Sequence, residues 1–216
     1  MARTWPEPVV RSAWFVEVDR PTLVLGSTQS DAVVDRRRAA SAGVGVVRRR
    51  TGGGAVLLRP GETVWVDVLL PTGDPLAEVD VARAFAWVGR AWATALAEVG
   101  VDEAGPVGAG GQVAVHDGPP RPGRWADLVC FAGLGPGEVT VGGAKMVGIS
   151  QRRTRAGSLF QCGALVAWRP RPLLEVLALS DEDRSAAVDD LDLVATGAGG
   201  EPAVLVAAFE AALQTA

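Results

Sequence analysis

The sequence predicts an α+β fold, with a mixed, largely antiparallel sheet and helices packed on it. Three observations carry this. Runs rich in β-branched and apolar residues crowd the middle of the chain and follow one another in hairpin order. Helical patterns are few and are not interleaved one per strand, which argues against a doubly wound parallel sheet. At 216 residues the chain can bury one sizeable core while two would be cramped, so 1–216 is read as a single domain.

Trp14 to Val18 and Thr22 to Leu25 read as short strands divided by the turn signal Asp19, Arg20, Pro21. Asp31 to Ala42 is charged and alanine-rich, a short helix with Ser30 as its N-cap and Gly43 as its stop. Val44, Val46 and Val47 begin a strand that runs into RRRTGGGAVLL, and Glu62 to Leu70 forms another, together a glycine-linked hairpin by pattern. After Asp74 and Pro75, the apolar residues Val81, Phe85, Val88, Trp92, Leu96 and Val99 recur at helical spacing, and Gly100 closes the helix. Residues 102–126 are rich in Gly and Pro, with a strand signal at Val113 to Val115, and read as a mobile loop region. Strands resume at Asp127 to Phe131, Val139 to Val141, Lys145 to Ser150 and Ser158 to Trp168. The tail reads as helices over Pro172 to Leu179, Glu182 to Asp190 and Pro202 to Leu213.

Composition narrows the function classes. Hydrophobic residues make up 48% and charged residues 21%, so neither a disordered nor a fibrous class is indicated. A net charge of −4 argues against a general nucleic-acid grip, although arginines cluster at Arg36 to Arg38, Arg48 to Arg50 and Arg152 to Arg155, leaving local anion binding open. The N-terminus lacks an uninterrupted apolar stretch, and nothing approaches the ~18 apolar residues of a membrane span, so a cytoplasmic location without a membrane partner is expected. Cys130 and Cys162 lie far apart without C-x-x-C spacing and read as reduced thiols. His116 is the only histidine, which excludes a two-histidine metal site; it reads as an exposed loop residue, and no metal site is expected from the residues. Lys145 is followed by Met146, so no Walker A motif is present, and no G-x-G-x-x-G follows a strand.

Two stretches carry the chemistry. Lys145 is the only lysine beside twenty arginines, which points to a position that rejects a guanidinium. The alternative is an exposed residue in a glycine turn, since Gly142 and Gly143 precede it. Gly52, Gly53 and Gly54 follow Arg48, Arg49, Arg50 and Thr51 and precede an apolar strand, placing bare backbone N–H groups beside cations. That arrangement suits a phosphate or carboxylate; it equally suits a glycine bulge with arginines facing solvent.

RRRTGGGAV, some ninety residues before GGAKMVGISQRR and preceded by GSTQ at Gly26 to Gln29, resembles the catalytic domain of the biotin/lipoate protein ligase family, lipoate-protein ligases in particular. The resemblance spans roughly Leu23 to Val166. It implies a fold like the class II aminoacyl-tRNA synthetase core, and an enzyme attaching lipoate or a medium-chain acid to a lysine of a lipoyl-carrier domain through an acyl-adenylate. By that resemblance Arg49, Gly52, Gly53, Gly54, Ala55, Val56, Leu57 and Gly148 hold the acyl group and nucleotide, and Lys145 reaches the carbonyl and α-phosphate oxygens. A fixed ammonium there stabilises charge developing on those oxygens. ATP and Mg2+ are implied, with lipoate or octanoate as substrate and no tightly bound cofactor.

The chain departs from the family in two places. Leu57, Leu58 and Arg59 stand where an aromatic, a histidine and an aspartate commonly follow the glycines, and the chain ends without the further C-terminal domain of many bacterial ligases, which suggests an accessory protein. CFAGLGPGEVTVGGAK, with Cys130 fifteen residues before Lys145, resembles the cysteine segment of the octanoyltransferases and amidotransferases of the same family. Those take a carrier thioester onto the cysteine without ATP. The alternatives to the ligase are therefore such a transferase, and a non-catalytic lipoate- or biotin-binding module. A structural reading of Cys130, as a buried strand residue, also stays open.

Overall fold

The computed structural model describes residues 4–81, 83–101 and 111–216. In chain order the strands are β1 (Ser12–Val16), β2 (Thr22–Leu25), β3 (Gly45–Arg48), β4 (Val56–Leu58), β5 (Thr63–Pro71), β6 (Val113–Val115), β7 (Val139–Val141), β8 (Ala144–Thr154) and β9 (Gly157–Leu165). The helices are α1 (Arg36–Ser41), α2 (Ala86–Glu98), α3 (Pro170–Glu175), α4 (Asp181–Asp192) and α5 (Pro202–Gln214). Six strands form an antiparallel sheet in the order β1-β5-β9-β8-β7-β6, and three form a second sheet, β3-β2-β4. The fold is α+β, as expected.

Alternation along β5 builds two layers from one strand. Val64, Val66, Val68 and Leu70 face the main core beneath α2 and α5, while Trp65 turns to the other side and packs with β2 and β4. Asp67 is buried on the same side as Trp65 and accepts hydrogen bonds from Trp65 Nε1 at 2.8 Å and Gln161 Nε2 at 3.0 Å. α2 buries Trp87, Val88, Ala91, Trp92, Ala95 and Leu96, a stripe of helical period, and Trp92 stacks on Phe209 of α5 with centroids 3.6 Å apart. The helix begins later than its apolar pattern suggested. Val81 is exposed, and a 3-10 turn over Arg83–Phe85 precedes α2, with Asp80 accepting from the Arg83 and Ala84 N–H groups.

One bridge corrects two expectations. Val34 is buried and pairs with Leu177, with Asp35 N–H donating to Val176 O and Ala178 N–H to Val33 O. This extended contact splits the helix expected over 31–42 into a 3-10 turn, Asp31–Val33, and α1, whose cap is Asp35 rather than Ser30 alone. The same contact ends α3 at Glu175, short of the expected Leu179. Burial of two apolar side chains outweighs the local helical preference of either segment.

The expected hairpin around the glycine triplet is also corrected. β3 and β4 do not pair with each other: both pair with β2, β3 in parallel and β4 antiparallel, and β5 lies in the other sheet. The residues between Arg48 and Val56 therefore arch over the Leu25 end of β2. Asp127 to Phe131 is not a strand either, since it makes a single bridge, Ala55 to Val129, and then a 3-10 turn over Cys130–Ala132. Of the stretch expected to be mobile, 102–110 lies outside the described residues. The following part is tied down, with Arg121 and Leu134 exchanging backbone hydrogen bonds at 2.8 and 3.0 Å and His116 N–H donating to Glu138 O. His116 itself is half-buried rather than exposed, its Nε2 lying 2.9 Å from Pro119 O. Among the described residues no helix is long and apolar enough to cross a membrane.

Candidate active site

The glycine arch is built from the inside by Arg49. The residue is 3% exposed, and its guanidinium donates to Thr51 Oγ1 at 3.1 Å, to Gly52 O and to Gly54 O at 3.0 Å. Thr51 Oγ1 in turn donates to Gln161 Oε1 at 2.9 Å and accepts from Ser150 Oγ at 2.8 Å, which joins the arch to β8, β9 and the buried Asp67. Arg49 is thus a brace for the loop, with Nε, Nη1 and Nη2 each donating to a loop oxygen. Gly53 has φ of +98°, a conformation that glycine adopts without strain.

Close backbone approach explains two other glycines. A Cβ on Gly26 would lie 1.9 Å from Gly53 O, and a Cβ on Gly54 would lie 2.6 Å from Val129 C and 2.7 Å from Cys130 N. By contrast, a Cβ on Gly52 would meet no atom within 4 Å. Gly54→Ala is accordingly expected to lower stability by about 1–3 kcal/mol through overpacking, whereas Gly52→Ala stays within about 0.5 kcal/mol of wild type. Chemical denaturation of the two variants side by side checks this, and equal midpoints would contradict the close approach.

Lys145 enters from β8. The register between β7 and β8 shifts so that Lys145 faces Thr140 while Val147 faces Val139, leaving Met146 as an extra residue. Such a bulge re-aims side chains. The Lys145 side chain is 4% exposed, and its Nζ donates to Glu138 Oε2 at 2.6 Å, Gly133 O at 2.9 Å and Cys130 O at 3.0 Å, with the Phe131 ring centroid 5.2 Å away. Glu138 is held in its turn, Oε2 accepting from Gly135 N at 2.6 Å and Oε1 from Ile149 N at 3.0 Å. The lysine is therefore not the exposed turn residue that its flanking glycines permitted.

Cys130 completes the group. It is half-buried in the 3-10 turn, and its N–H donates to Ala55 O at 2.9 Å while Ala55 N–H donates to Leu128 O at 2.7 Å, so the arch and the cysteine turn are stitched together. Gly148 lies behind both functional side chains, for a Cβ there would be 3.4 Å from Lys145 Cε and 3.6 Å from Cys130 Sγ. Cys162 differs: it is buried in the main core, and that burial pushes its thiol up to about 12. One thiol per native chain is therefore expected to react with a thiol reagent at neutral pH and two after denaturation, and two fast thiols in the native chain would refute this arrangement.

Arg49, Gly52, Gly53, Gly54, Cys130, Glu138 and Lys145 all line one cavity of about 260 Å³, roofed by Pro120 to Pro122. Ala55, Val56 and Leu57 do not reach it: Ala55 and Val56 are buried in the core and Leu57 packs against the second core cluster. Sequence reasoning missed Glu138, although it is the only acidic residue between Asp127 and Glu175 and stands seven residues before the only lysine. Among the described residues Glu138 is also the cavity's one carboxylate, and with its oxygens engaged by Lys145, Gly135 and Ile149 those walls supply no set of protein ligands for Mg2+.

This architecture has known counterparts. A bipartite lipoate protein ligase from Thermoplasma acidophilum, studied together with its E2 lipoyl domain, superimposes with a TM-score of 0.66 at 18% identity, over 91% of this chain and 67% of that one. A structure described as a lipoate protein ligase of Thermoplasma acidophilum with bound lipoic acid gives 0.57 at 20% identity over 90% and 69%. Lipoate-protein ligase A bound with ATP gives 0.56 at 19% identity over 90% and 70%. No curated protein matches the sequence. The model of the lipoyl protein ligase A/B catalytic domain matches residues 7–196, a span that includes every strand of both sheets, and the chain belongs to that family.

Proposed function

We propose that the chain transfers a lipoyl or octanoyl-type medium-chain acyl group to a lysine of a lipoyl-carrier domain, and that the group passes through a thioester on Cys130. The observation that carries this reading is the pairing of the half-buried Cys130 with Lys145 around Gly148 in one cavity. The thiol sulfur attacks the carbonyl of a carrier thioester, the S–C bond to Cys130 forms as the S–C bond to the carrier breaks, and the cysteine proton ends on the departing carrier thiol. The acceptor amine then attacks the acyl-enzyme, its N–C bond replacing the bond to Cys130, which regains a proton from the amine. Lys145, exchanging one of its carbonyl partners, donates to the acyl oxygen where charge develops. Arg49, which the resemblance assigns to the adenylate, is turned instead onto three oxygens of its own loop.

The ATP-dependent ligase is the second reading, favoured by Gly52 and Gly53, which line the same cavity and whose N–H groups, donors of the kind suited to a phosphate, find no backbone acceptor among the described residues. The likeness to an ATP-bound ligase supports it, and the ligase studied with an E2 lipoyl domain supports a carrier acceptor in both readings. Intact-mass spectrometry of the protein mixed with an octanoyl-carrier thioester, without ATP, separates them. One octanoyl group on Cys130 that is chased onto an acceptor domain is the expected result; acceptor modification only with free acid and ATP, and no adduct, would establish the ligase instead.

A further inference from the structure

We infer that Glu138 is the positioning residue of Lys145, a fixed pivot about which the ammonium turns from the loop carbonyls to the acyl oxygen; this rests on the reading that Lys145 serves that oxygen. An ammonium has three donors, and all three are taken in this structure, by Glu138 Oε2 at 2.6 Å, Gly133 O at 2.9 Å and Cys130 O at 3.0 Å. A ligand oxygen therefore enters by replacing one of them. The bond to Glu138 is the shortest and pairs opposite charges, and a charge-assisted bond is about twice as strong as one to a neutral acceptor. A carbonyl is the partner released.

Glu138 is built to stay. Both side chains of the pair are nearly buried, 4% exposed for Lys145 and 7% for Glu138. The carboxylate is tied by Ile149 N–H to β8, the strand that carries Lys145, and by Gly135 N–H to the loop that supplies the Gly133 carbonyl. The pivot is thus fastened both to the strand and to the segment that the ammonium leaves. An unpaired ammonium at that depth would be strongly disfavoured, and among the described residues the cavity walls hold no second carboxylate to replace Glu138.

The single lysine gives a direct readout. With 15N-labelled lysine the chain shows one side-chain ammonium resonance, expected to exchange slowly with water and to couple to the Glu138 carboxylate. Glu138→Asp retains a protected, shifted signal; Glu138→Gln, which presents an amide to the three donors of Lys145, Gly135 and Ile149, loses it. A signal unchanged in Glu138→Gln would overturn the inference whether or not the protein transfers an acyl group. The second arm is kinetic. Glu138→Gln should lower kcat for transfer by at least about thirtyfold with KM for the acyl donor changed less than about threefold, and Glu138→Asp should recover part of the loss. In a Lys145→Gln background, which also removes the buried charge should Glu138→Gln alone fold poorly, adding Glu138→Gln should cost less than about threefold. An equal cost in both backgrounds would show that Glu138 does not act through Lys145. A folded wild type with the protected resonance and no acyl transfer would sink the proposed function and leave the clamp standing.

Discussion

Cys130→Ser is expected to abolish acyl transfer from a carrier thioester, with turnover falling at least about a thousandfold and no acyl adduct detectable on the protein. A hydroxyl without a strong base beside it is a far poorer nucleophile than a thiol, and the cavity offers no histidine: His116, the only one, hydrogen-bonds within its own loop and does not line it. The fold should survive. The backbone bonds of Cys130, from its N–H to Ala55 O and from Lys145 Nζ to its carbonyl, are untouched, and the side chain is half-buried and nearly isosteric with serine. Transfer from the thioester within about tenfold of wild type, in a variant of unchanged melting temperature, would exclude the acyl-enzyme. Retained ATP-dependent transfer of free lipoate would then identify the ligase.

The second large effect is Lys145→Arg, for which transfer is expected to fall at least about a hundredfold. Three acceptors converge on one point, Glu138 Oε2, Gly133 O and Cys130 O lying 2.6, 2.9 and 3.0 Å from Nζ. A tetrahedral ammonium satisfies them; a planar fork does not, and its extra length reaches into the cavity that the acyl group needs. The Phe131 ring centroid 5.2 Å from Nζ, and Gly148, where a Cβ would lie 3.4 Å from Lys145 Cε, leave little room beside the side chain. Rates within about threefold of wild type would remove the ammonium from the chemistry.

Periodicity made the central elements legible. β5, β8 and β9 read from runs of β-branched and apolar residues that are largely buried, and α2 and α5 from apolar stripes whose central members, Val88, Trp92, Leu96, Leu205 and Phe209, are buried. What a single stretch could not show was pairing at a distance. Val34 and Leu177 cross-link segments far apart in sequence, and each broke the helix that its own neighbours favoured. β3 and β4 flank the glycines like a hairpin, but β2 came earlier in the chain and took the place between them. In the site, Lys145, Cys130 and the three glycines announced themselves by rarity or motif, and the cavity contains all of them. Arg49 was legible as important and illegible in role, since nothing local reveals that a guanidinium will be spent on Gly52 and Gly54 carbonyls. Glu138 carried a signal, a lone acid before a lone lysine, that only the fold turns into a hydrogen bond.

The burial of the single lysine has a consequence for self-inflicted chemistry. A protein that holds an activated acyl group beside nucleophiles risks spending the group on itself, and surface ε-amines are the usual casualties. This chain has twenty arginines in the places where such amines would otherwise sit, and its one ε-amine is 4% exposed and locked by three acceptors. Guanidinium groups stay protonated and do not accept acyl groups at neutral pH. Under the proposed function, the side chains of the folded chain therefore offer no competing acceptor, and the only accessible lysine that an escaping acyl group would find belongs to another protein.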